Sequence, residues 1–166
     1  MRWRPPPERS SPYVTAAGLR RLRAELESLW PLRREVVAAL SAAAAEGDRS
    51  ENAEYIYRKK QLREMDRRIR YLQKRLDVLK PVSSVPRRTD RIYFGARVEV
   101  ADAQGDQRCY RIVGADEIDL HVDGISVDSP VAKALLGRAV DEAVSVNVPE
   151  GQRELTVLSI CYPGED

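Results

Sequence analysis

The stretch Asp48-Arg49-Ser50-Glu51 separates two series of apolar residues that mirror each other along the first half of the chain. Both series advance in steps of three and four residues, the spacing of one face of an α-helix. The mirrored pairs are Leu19 with Leu79, Leu22 with Leu76, Leu26 with Leu72, Leu29 with Ile69, Val36 with Leu62 and Ala43 with Tyr55. Two further positions each include a basic residue, and they are Arg33 with Met65 and Leu40 with Arg58. This heptad pattern predicts an antiparallel coiled-coil hairpin that folds back at residues 48–51.

The first helix of this hairpin has sequence signals at both ends and a proline inside it. Thr15 precedes the apolar series and has the side chain of an N-cap residue. Pro31 lies within the helix, where it removes a backbone hydrogen bond and predicts a kink. Gly47 follows a run of alanines and is predicted to end the helix. With about 30 residues at 1.5 Å per residue, each arm is expected to reach roughly 45 Å.

The second helix is predicted to begin at the fold point and to end near residue 80. Asp48 followed by Glu51 has the spacing of a capping box, with Asp in place of the usual Ser or Thr. Ser50 is an alternative N-cap. Pro81 cannot continue the helix, so it marks the end.

Composition restricts the classes of protein to which the chain can belong. Its 166 residues suffice for one domain or two small ones. Residues 1–81 contain 19 Lys and Arg against 11 Asp and Glu, a net +8, whereas residues 82–166 contain 9 against 15, a net −6. The basic half is therefore expected to meet an anionic partner. Cys109 and Cys161 lack metal-ligand spacing, and no apolar run approaches the ~20 residues of a membrane span, so a reduced cytoplasmic setting is expected.

The second half of the chain has a different apolar period, which changes from 3.6 to 2 after a linker of turn-forming and charged residues. Strands are predicted over residues 92–101, 107–113, 124–127, 139–148 and 154–161. Ser129 as N-cap and Pro130 at the first helical position predict a short helix over 131–136, which Gly137 ends. The expected segments are a disordered basic tail (1–12), the coiled-coil hairpin (13–81), the linker (82–90) and a small α+β domain (91–166).

Asp48 and Glu51 form the candidate chemical site. Two carboxylates three residues apart at a helix start can reach one divalent cation. They can also serve the helix alone, with Asp48 as a cap and Glu51 beside the positive N-terminal dipole. Mg²⁺ requires about six oxygen ligands, so the pair makes an incomplete site. Because the pair lies at the apex of the hairpin, the missing ligands would come from a partner into which the tip inserts.

A basic face is predicted along the second helix. It consists of Lys60, Arg63, Arg67, Arg70 and Lys74, which step three and four residues. This face is either a solvated surface, partly offset by Glu64 and Asp66, or a track for nucleic-acid phosphates. Tyr55 and Tyr57 could stack on a base near the tip, although Tyr55 also fits the coiled-coil seam. His121 has no partner pattern for catalysis and is expected in a surface loop.

Residues 47–55 and 59–72 resemble the Gre transcript-cleavage factors of bacterial RNA polymerase. The first stretch reads Gly-Asp-Arg-Ser-Glu-Asn-Ala-Glu-Tyr, and the second reads Lys-Lys-Gln-Leu-Arg-Glu-Met-Asp-Arg-Arg-Ile-Arg-Tyr-Leu. The similarity continues through residues 94–96, 111–114, 116–118 and 125–135, and it covers about residues 12–162. Arg49 beside the tip and the arginine-rich second helix are similar to the GreB branch of the family.

The resemblance implies a C-terminal domain of FKBP-like fold that docks at the rim of the polymerase secondary channel through Asp128, Ser129 and Pro130. It implies that the coiled coil of a monomer enters that channel, where Asp48 and Glu51 help to hold a second Mg²⁺ that the isolated protein does not bind tightly. The protein would then not be an enzyme itself. It would stimulate Mg²⁺-dependent cleavage of backtracked nascent RNA by the polymerase and rescue arrested complexes, with the basic face holding the RNA.

Two other classes of function remain open on the sequence. A regulator of the same fold could occupy the secondary channel and inhibit the polymerase instead of promoting cleavage. A coiled-coil scaffold or free nucleic-acid binder would instead bind RNA without polymerase, with a steep dependence on salt.

The sequence departs from the family pattern at two places. Pro31 directly follows Trp30, whereas the family often has Arg-Pro-Glu a few residues later, so the kink is expected to be displaced. Asp141-Glu142 stands where the family usually has Gly-Asp. Because Asp tolerates the left-handed conformation, the turn is predicted to be retained.

Overall fold

This computed structural model describes residues 9–47 and 52–164 of the chain. Contacts divide the described residues into two compact units. The helical unit is Leu19–Leu79, and the sheet unit combines the residues up to Gly18 with those from Lys80 onward. The boundaries differ from the expected ones, because residues 13–18 and 80–81 of the predicted hairpin domain belong to the sheet unit.

Helix α1 spans Ala16–Ala45 and confirms the predicted first arm. Thr15 is its N-cap, since the Thr15 hydroxyl accepts a hydrogen bond from the Gly18 amide at 3.0 Å. The helix is continuous through Pro31. Gly47 follows its end with a φ of +127°, a conformation that glycine adopts without strain.

Helix α2 spans Ala53–Leu76, and both of its ends differ from the prediction. Its N-cap is Asn52, whose side chain accepts a hydrogen bond from the Tyr55 amide at 3.1 Å, so Asp48 and Ser50 are not the cap. Asn ranks with Asp and Ser among the strongest cap residues, and it directly precedes the first helical residue. The helix ends at Leu76 and not near residue 80. The chain leaves the helix there because Lys80–Pro81 forms a strand, β2, which pairs in parallel with β1, Tyr13–Val14.

The two helices run antiparallel, as three contacts between them show. Glu25 pairs with Arg68, Arg33 pairs with Asp66, and the carbonyl of Ala43 accepts a hydrogen bond from Asn52, so the partner number falls as the α1 number rises. The buried residues of the seam are Leu19, Leu22, Val36, Ala43, Met65, Ile69, Leu72 and Leu79. All eight belong to the predicted pattern, which confirms the antiparallel coiled-coil hairpin.

The two basic positions of the pattern are only half-buried, and each reaches toward a polar partner. Arg33 Nε lies 2.6 Å from the Asp66 carboxylate, and Arg58 Nε lies 2.7 Å from the Glu54 carboxylate. Long basic side chains can cover a seam with their stems while the charged end reaches water. Arg33 and Arg58 therefore flank the seam and do not fill it.

The sheet unit contains a five-stranded sheet in the order β5-β4-β3-β7-β6. Its strands are β3 (Arg97–Asp102), β4 (Gln107–Val113), β5 (Gly124–Ser126), β6 (Ala143–Val148) and β7 (Gly151–Cys161). Neighbours are antiparallel except β4 and β5, which are parallel. Helix α3 (Pro130–Leu135) contributes Ala132 and Leu135 to the core on this sheet. The predicted small α+β domain of FKBP-like fold is confirmed.

The core of the sheet unit takes its residues from alternate positions of the strands. Its fully buried members include Ile92, Val98, Val100, Ile112, Leu135, Val146 and Val157. Val98 and Val100 lie on the same side of β3, as the two-residue strand period requires. In β3 the alternation that predicted the strand therefore also gives its buried face, whereas Arg111, Ile112 and Val113, three consecutive residues of β4, are all buried.

The strand starts differ from the prediction where turns intervene. Strand β3 begins at residue 97 and not 92, because Ile92 instead exchanges backbone hydrogen bonds with Gly137 and Arg138 at 2.7 and 2.8 Å. Strand β6 begins at residue 143 and not 139, since Asp141 forms a turn with φ +69°. That positive φ confirms the predicted left-handed conformation of Asp141. Strand β7 begins at residue 151 and is three residues longer than predicted.

None of the helices that the structure describes has the length and apolar character of a membrane-spanning segment.

Candidate functional site

Asn52 contacts both helices of the hairpin beside the connection between them. Its Nδ2 donates a hydrogen bond to the Ala43 carbonyl at 2.8 Å, and its Oδ1 accepts one from the Tyr55 amide at 3.1 Å. One side chain therefore joins the last turn of α1 to the first turn of α2. Asn52 was missed as a site residue, although its cap preference and its place before a helical run were visible in the sequence.

Asp48 and Glu51, the predicted site pair, lie outside the described residues. They belong to the connection between Gly47 and Asn52, whose flanking residues are described above. The chemistry of the pair is that of two carboxylates, hard oxygen donors that suit Mg²⁺. Within residues 9–47 and 52–164 no three His, Cys, Asp or Glu side chains are grouped so that they could hold a metal ion. A divalent ion at the tip would therefore depend on these two carboxylates and on ligands from a partner.

The basic face of α2 points away from the seam. Lys60, Arg63, Arg67, Arg70 and Lys74 are all exposed, whereas Met65, Ile69 and Leu72 of the same helix are buried. Lys60, Arg63, Arg67 and Lys74 form no ion pair with another described residue. Their charges are thus directed to solvent, and the face can take up a polyanion.

Asp66 was expected to offset part of this charge, but it is engaged on the α1 side. The Arg33 guanidinium binds its carboxylate at 2.6 and 3.5 Å. That hydrogen bond and the neighbouring negative charge raise the pKa of Arg33. Because Arg33 neutralises Asp66, the basic face is less compensated than the sequence indicated.

The two tyrosines near the tip have different surroundings. Tyr57 is 58% exposed, and the Arg58 guanidinium lies 5.4 Å from its ring centroid. Tyr55 is half-buried, and Lys59 Nζ lies 5.7 Å from its ring centroid. A base could therefore reach the Tyr57 ring more easily than the Tyr55 ring. The partial burial of Tyr55 agrees with its predicted position in the coiled-coil seam.

The predicted docking segment is built into the sheet unit. The Asp128 carboxylate accepts hydrogen bonds from the Ser11 amide at 2.8 Å and from the Ser11 hydroxyl. Ser129 is the N-cap of α3, and Pro130 is its first residue, as predicted. Residues 1–12 were predicted to be a disordered tail; at the end of this segment Ser11 is bound by Asp128, and the Pro12 carbonyl accepts a hydrogen bond from the Lys80 amide at 2.7 Å.

A buried carboxylate in the sheet unit was not identified from the sequence. Glu117 is 1% exposed and accepts a hydrogen bond from the Thr15 amide at 2.8 Å. Burial raises the pKa of Glu117, although the hydrogen bonds from Thr15 and the charge of Arg111 act in the opposite direction. A side chain at Gly18 would collide with the Glu117 carboxylate, so glycine is required there. Glu117 thus fixes the start of α1 within the sheet unit.

His121 is half-buried in the loop after a 3₁₀ turn, Ile118–Leu120. Its Nδ1 lies 3.4 Å from an Arg111 guanidinium nitrogen. Arg111 is itself 9% exposed and also donates to the Gly164 carbonyl at 2.9 Å. His121 therefore lies in a loop, as predicted, but it packs against a buried arginine.

Comparisons with known proteins match nearly the whole chain. The family model "Transcription elongation factor, N-terminal" matches residues 12–80, and "Transcription elongation factor, GreA/GreB, C-term" matches residues 87–162. Transcription elongation factor GreB of Xanthomonas axonopodis pv. citri is 54% identical over 163 residues, which cover 97% of each chain. Transcription elongation factor GreB of Pseudomonas aeruginosa is 53% identical over 163 residues, which cover 98% of this chain and 97% of that one.

Among solved structures, Thermus aquaticus Gfh1 is similar with a TM-score of 0.43 and 26% identity, over 92% of this chain and 99% of that one. The two family models together span both units of the structure. The identity to the two GreB proteins extends across the hairpin, its tip and the sheet unit. The chain belongs to the GreA/GreB family of transcription elongation factors.

Proposed function

We propose that this protein binds bacterial RNA polymerase and stimulates the polymerase's own cleavage of backtracked RNA, as a GreB-type factor in the cytoplasm. The observation that carries the proposal is an antiparallel helical hairpin whose tip sequence is Asp48-Arg49-Ser50-Glu51, in a chain 54% identical to a GreB protein. With 30 residues in α1 and 24 in α2, the arms contain about 45 Å and about 36 Å of helix, so the hairpin can bring its tip into a deep channel. The proposed site of insertion is the polymerase secondary channel.

The two units have different roles in this proposal. The sheet unit docks on the polymerase through the segment Asp128-Ser129-Pro130, where α3 begins. The helical unit enters the channel as a monomer. The protein is a catalytic accessory, because the groups that hydrolyse the RNA belong to the polymerase.

The tip carboxylates have the chemistry to take part in a shared magnesium site. Asp48 and Glu51 would hold the ion jointly with the polymerase, since two carboxylates provide only part of the oxygen ligands that Mg²⁺ requires. A bound ion supplies activation of water and charge stabilisation in phosphodiester hydrolysis. The contribution of the chain itself is to place two negative charges at the end of a stiff hairpin, with Asn52 fixing the ends of both helices.

The basic face of α2 is the proposed binding surface for the RNA substrate. Lys60, Arg63, Arg67, Arg70 and Lys74 lie along one exposed side of α2, where they can contact successive phosphates. Backtracked RNA is the polyanion expected beside a hairpin in the channel. The face thus lies on the same arm that leads to the tip.

Neutralising the tip is the direct test of the proposal. Asp48→Asn and Glu51→Gln should each reduce RNA cleavage in stalled elongation complexes by about 10- to 100-fold, because each removes one of two anionic ligands while keeping its size. Competition with labelled wild-type protein should show unchanged binding to polymerase. Raising the Mg²⁺ concentration should partly restore cleavage by either variant.

The matched control is Glu46→Gln, which removes an exposed carboxylate two residues before Asp48. It should cleave like wild type. Normal cleavage by both tip variants would contradict the metal role. Wild-type protein that slows the polymerase without cleaving RNA would instead identify an inhibitory channel regulator.

A further inference from the structure

An exposed tryptophan lies on the helical unit beside the basic face. Trp30 is 41% exposed, although it is the largest apolar side chain of α1 and lies next to the seam. It lines an open groove of about 360 Å³ whose other walls are Arg33, Asp66, Ile69, Arg70 and Gln73. These six residues are called the Trp30 groove. Its size falls within the range of about 300–1,000 Å³ typical of small-molecule sites.

The groove combines an apolar interior with charged and polar edges. Ile69 is 3% exposed and belongs to the buried seam, so it provides an apolar floor. Gln73 is exposed at the edge and has both a hydrogen-bond donor and an acceptor. The indole of Trp30 provides a flat face, which stacks on bases of any sequence.

The charge of the groove is positive. The one acid that lines it, Asp66, is bound by Arg33 at 2.6 Å. Arg70 donates one hydrogen bond, from Nε to the Asp66 carbonyl at 3.3 Å, and is otherwise exposed. Its terminal nitrogens can therefore bind an anion. Arg70 also belongs to the basic face, so the groove opens directly onto that line of cations.

We propose that the Trp30 groove binds one nucleotide of single-stranded RNA. The base stacks on the Trp30 indole, the adjacent phosphate contacts Arg70, and Gln73 hydrogen bonds to the edge of the base. An anionic ligand is favoured over an apolar protein segment because the neighbouring charges are cationic and the groove's own carboxylate is already paired. The proposal rests on the proposed function for the source of this RNA, the extruded segment of a backtracked transcript.

The opposite flank of α2 provides a matched control. Tyr71 is 43% exposed there and lies 5.4 Å from the Arg68 guanidinium, measured to the ring centroid. Arg68 is bound by Glu25 at 2.6 and 2.9 Å, which neutralises its charge. This flank has an aromatic ring with an arginine next to it, as the groove does, but that arginine is already paired with a carboxylate. Arg67 of the basic face also lines the flank, and the Glu64 carboxylate that lines it offsets part of this charge.

Fluorescence can test the groove without polymerase. The chain has two tryptophans, so Trp3→Phe leaves Trp30 as the sole indole. An unstructured RNA of about eight nucleotides should quench Trp30 fluorescence saturably at about 50 mM salt, with affinity that falls steeply toward about 200 mM. Adding Arg70→Ala to this background should weaken the quenching roughly 5- to 10-fold.

Anisotropy of the same RNA, labelled with a fluorophore, tests the ring itself in the full chain. Trp30→Ala should weaken binding roughly 5- to 20-fold, Trp30→Phe should retain part of it, and Tyr71→Ala should bind like wild type. Circular dichroism should show the same helix content in all variants. The proposal is wrong if millimolar RNA leaves Trp30 fluorescence unchanged at low salt, or if Trp30→Ala weakens polymerase binding but not RNA binding.

A cleavage assay run in parallel separates this proposal from the proposed function. RNA binding at Trp30 by a protein that does not stimulate cleavage would overturn the proposed function but would support the Trp30 groove as an RNA-binding site. Stimulated cleavage together with unaltered RNA binding by Trp30→Ala would overturn the groove alone.

Discussion

The carboxylate of Glu117 is buried in the sheet unit, and it accepts a hydrogen bond from the Thr15 amide at the start of α1. Its second oxygen has no hydrogen-bond partner among the described residues. Burial raises the pKa of Glu117, since desolvation disfavours the charged form. At the residue scale, this group therefore links the stability of the sheet unit to pH.

The sign of that linkage follows from the raised pKa. The folded state binds the proton more tightly than the unfolded state, so the contribution of Glu117 to stability is fully present below the unfolded pKa. It is lost as the pH rises through the folded pKa. Urea unfolding, followed through amide signals of β3 and β4, should show this loss in wild type but not in Glu117→Gln, which keeps an acceptor for Thr15 without a titrating group.

A second variant distinguishes the charge from the hydrogen bond. Glu117→Ala removes the acceptor and should lower the free energy of unfolding by about 1–3 kcal/mol relative to Glu117→Gln at every pH, because the buried Thr15 amide loses its partner. An identical pH profile for wild type and Glu117→Gln would show that Glu117 does not titrate in this range.

At the scale of elements, the two helices were predictable from the sequence and their junction was not. The heptad pattern identified every buried seam residue of the helical unit, because the spacing of apolar residues within each helix predicts its buried face. It did not distinguish Asn52 from Asp48 and Ser50 as the cap, since all three types favour that position. Asn52 both accepts from the Tyr55 amide and donates to the Ala43 carbonyl of the other helix, a contact that no local pattern predicts.

This junction predicts a graded effect of Asn52 on the proposed activity. Asn52→Asp keeps the cap acceptor but loses the donor to Ala43, whereas Asn52→Ala loses both and should destabilise α2 by about 1 kcal/mol. Stimulated RNA cleavage should fall from wild type to Asn52→Asp to Asn52→Ala, by several-fold in total, with polymerase affinity unchanged. Equal cleavage by all three proteins would show that Asn52 does not position the tip.

At the scale of the whole molecule, the two halves of the chain, residues 1–81 and 82–166, differ in net charge and in proposed role. The half with the hairpin has a net charge of +8 and the other half −6. Asp128 belongs to the second half, and it both precedes α3 and binds Ser11. A loss of docking in an Asp128 variant therefore has two possible causes, a lost contact with polymerase or a released N-terminal segment.

Paired variants separate these causes. Asp128→Ala together with Pro130→Ala should reduce competition for polymerase by about 10-fold or more, since it removes the proposed contact. Ser11→Ala removes only the hydroxyl donor to Asp128 and should compete like wild type. Unchanged affinity of the double variant would rule out the docking assignment, and an equal loss in Ser11→Ala would assign the effect to the N-terminal segment.

Sequence alone was enough to predict the hairpin, its fold point, the strand alternation and the short helix capped by Ser129, because each depends on spacing within one stretch of chain. The contacts between distant stretches depend on the folded chain. Thr15 meets Glu117 across 102 residues, Ser11 meets Asp128 across 117, and β1 pairs with β2. The period of apolar residues within a helix or strand predicts which of its sides is buried, but not which distant residue covers that side. For that reason the Trp30 groove, formed by two helices, became visible only in the folded chain.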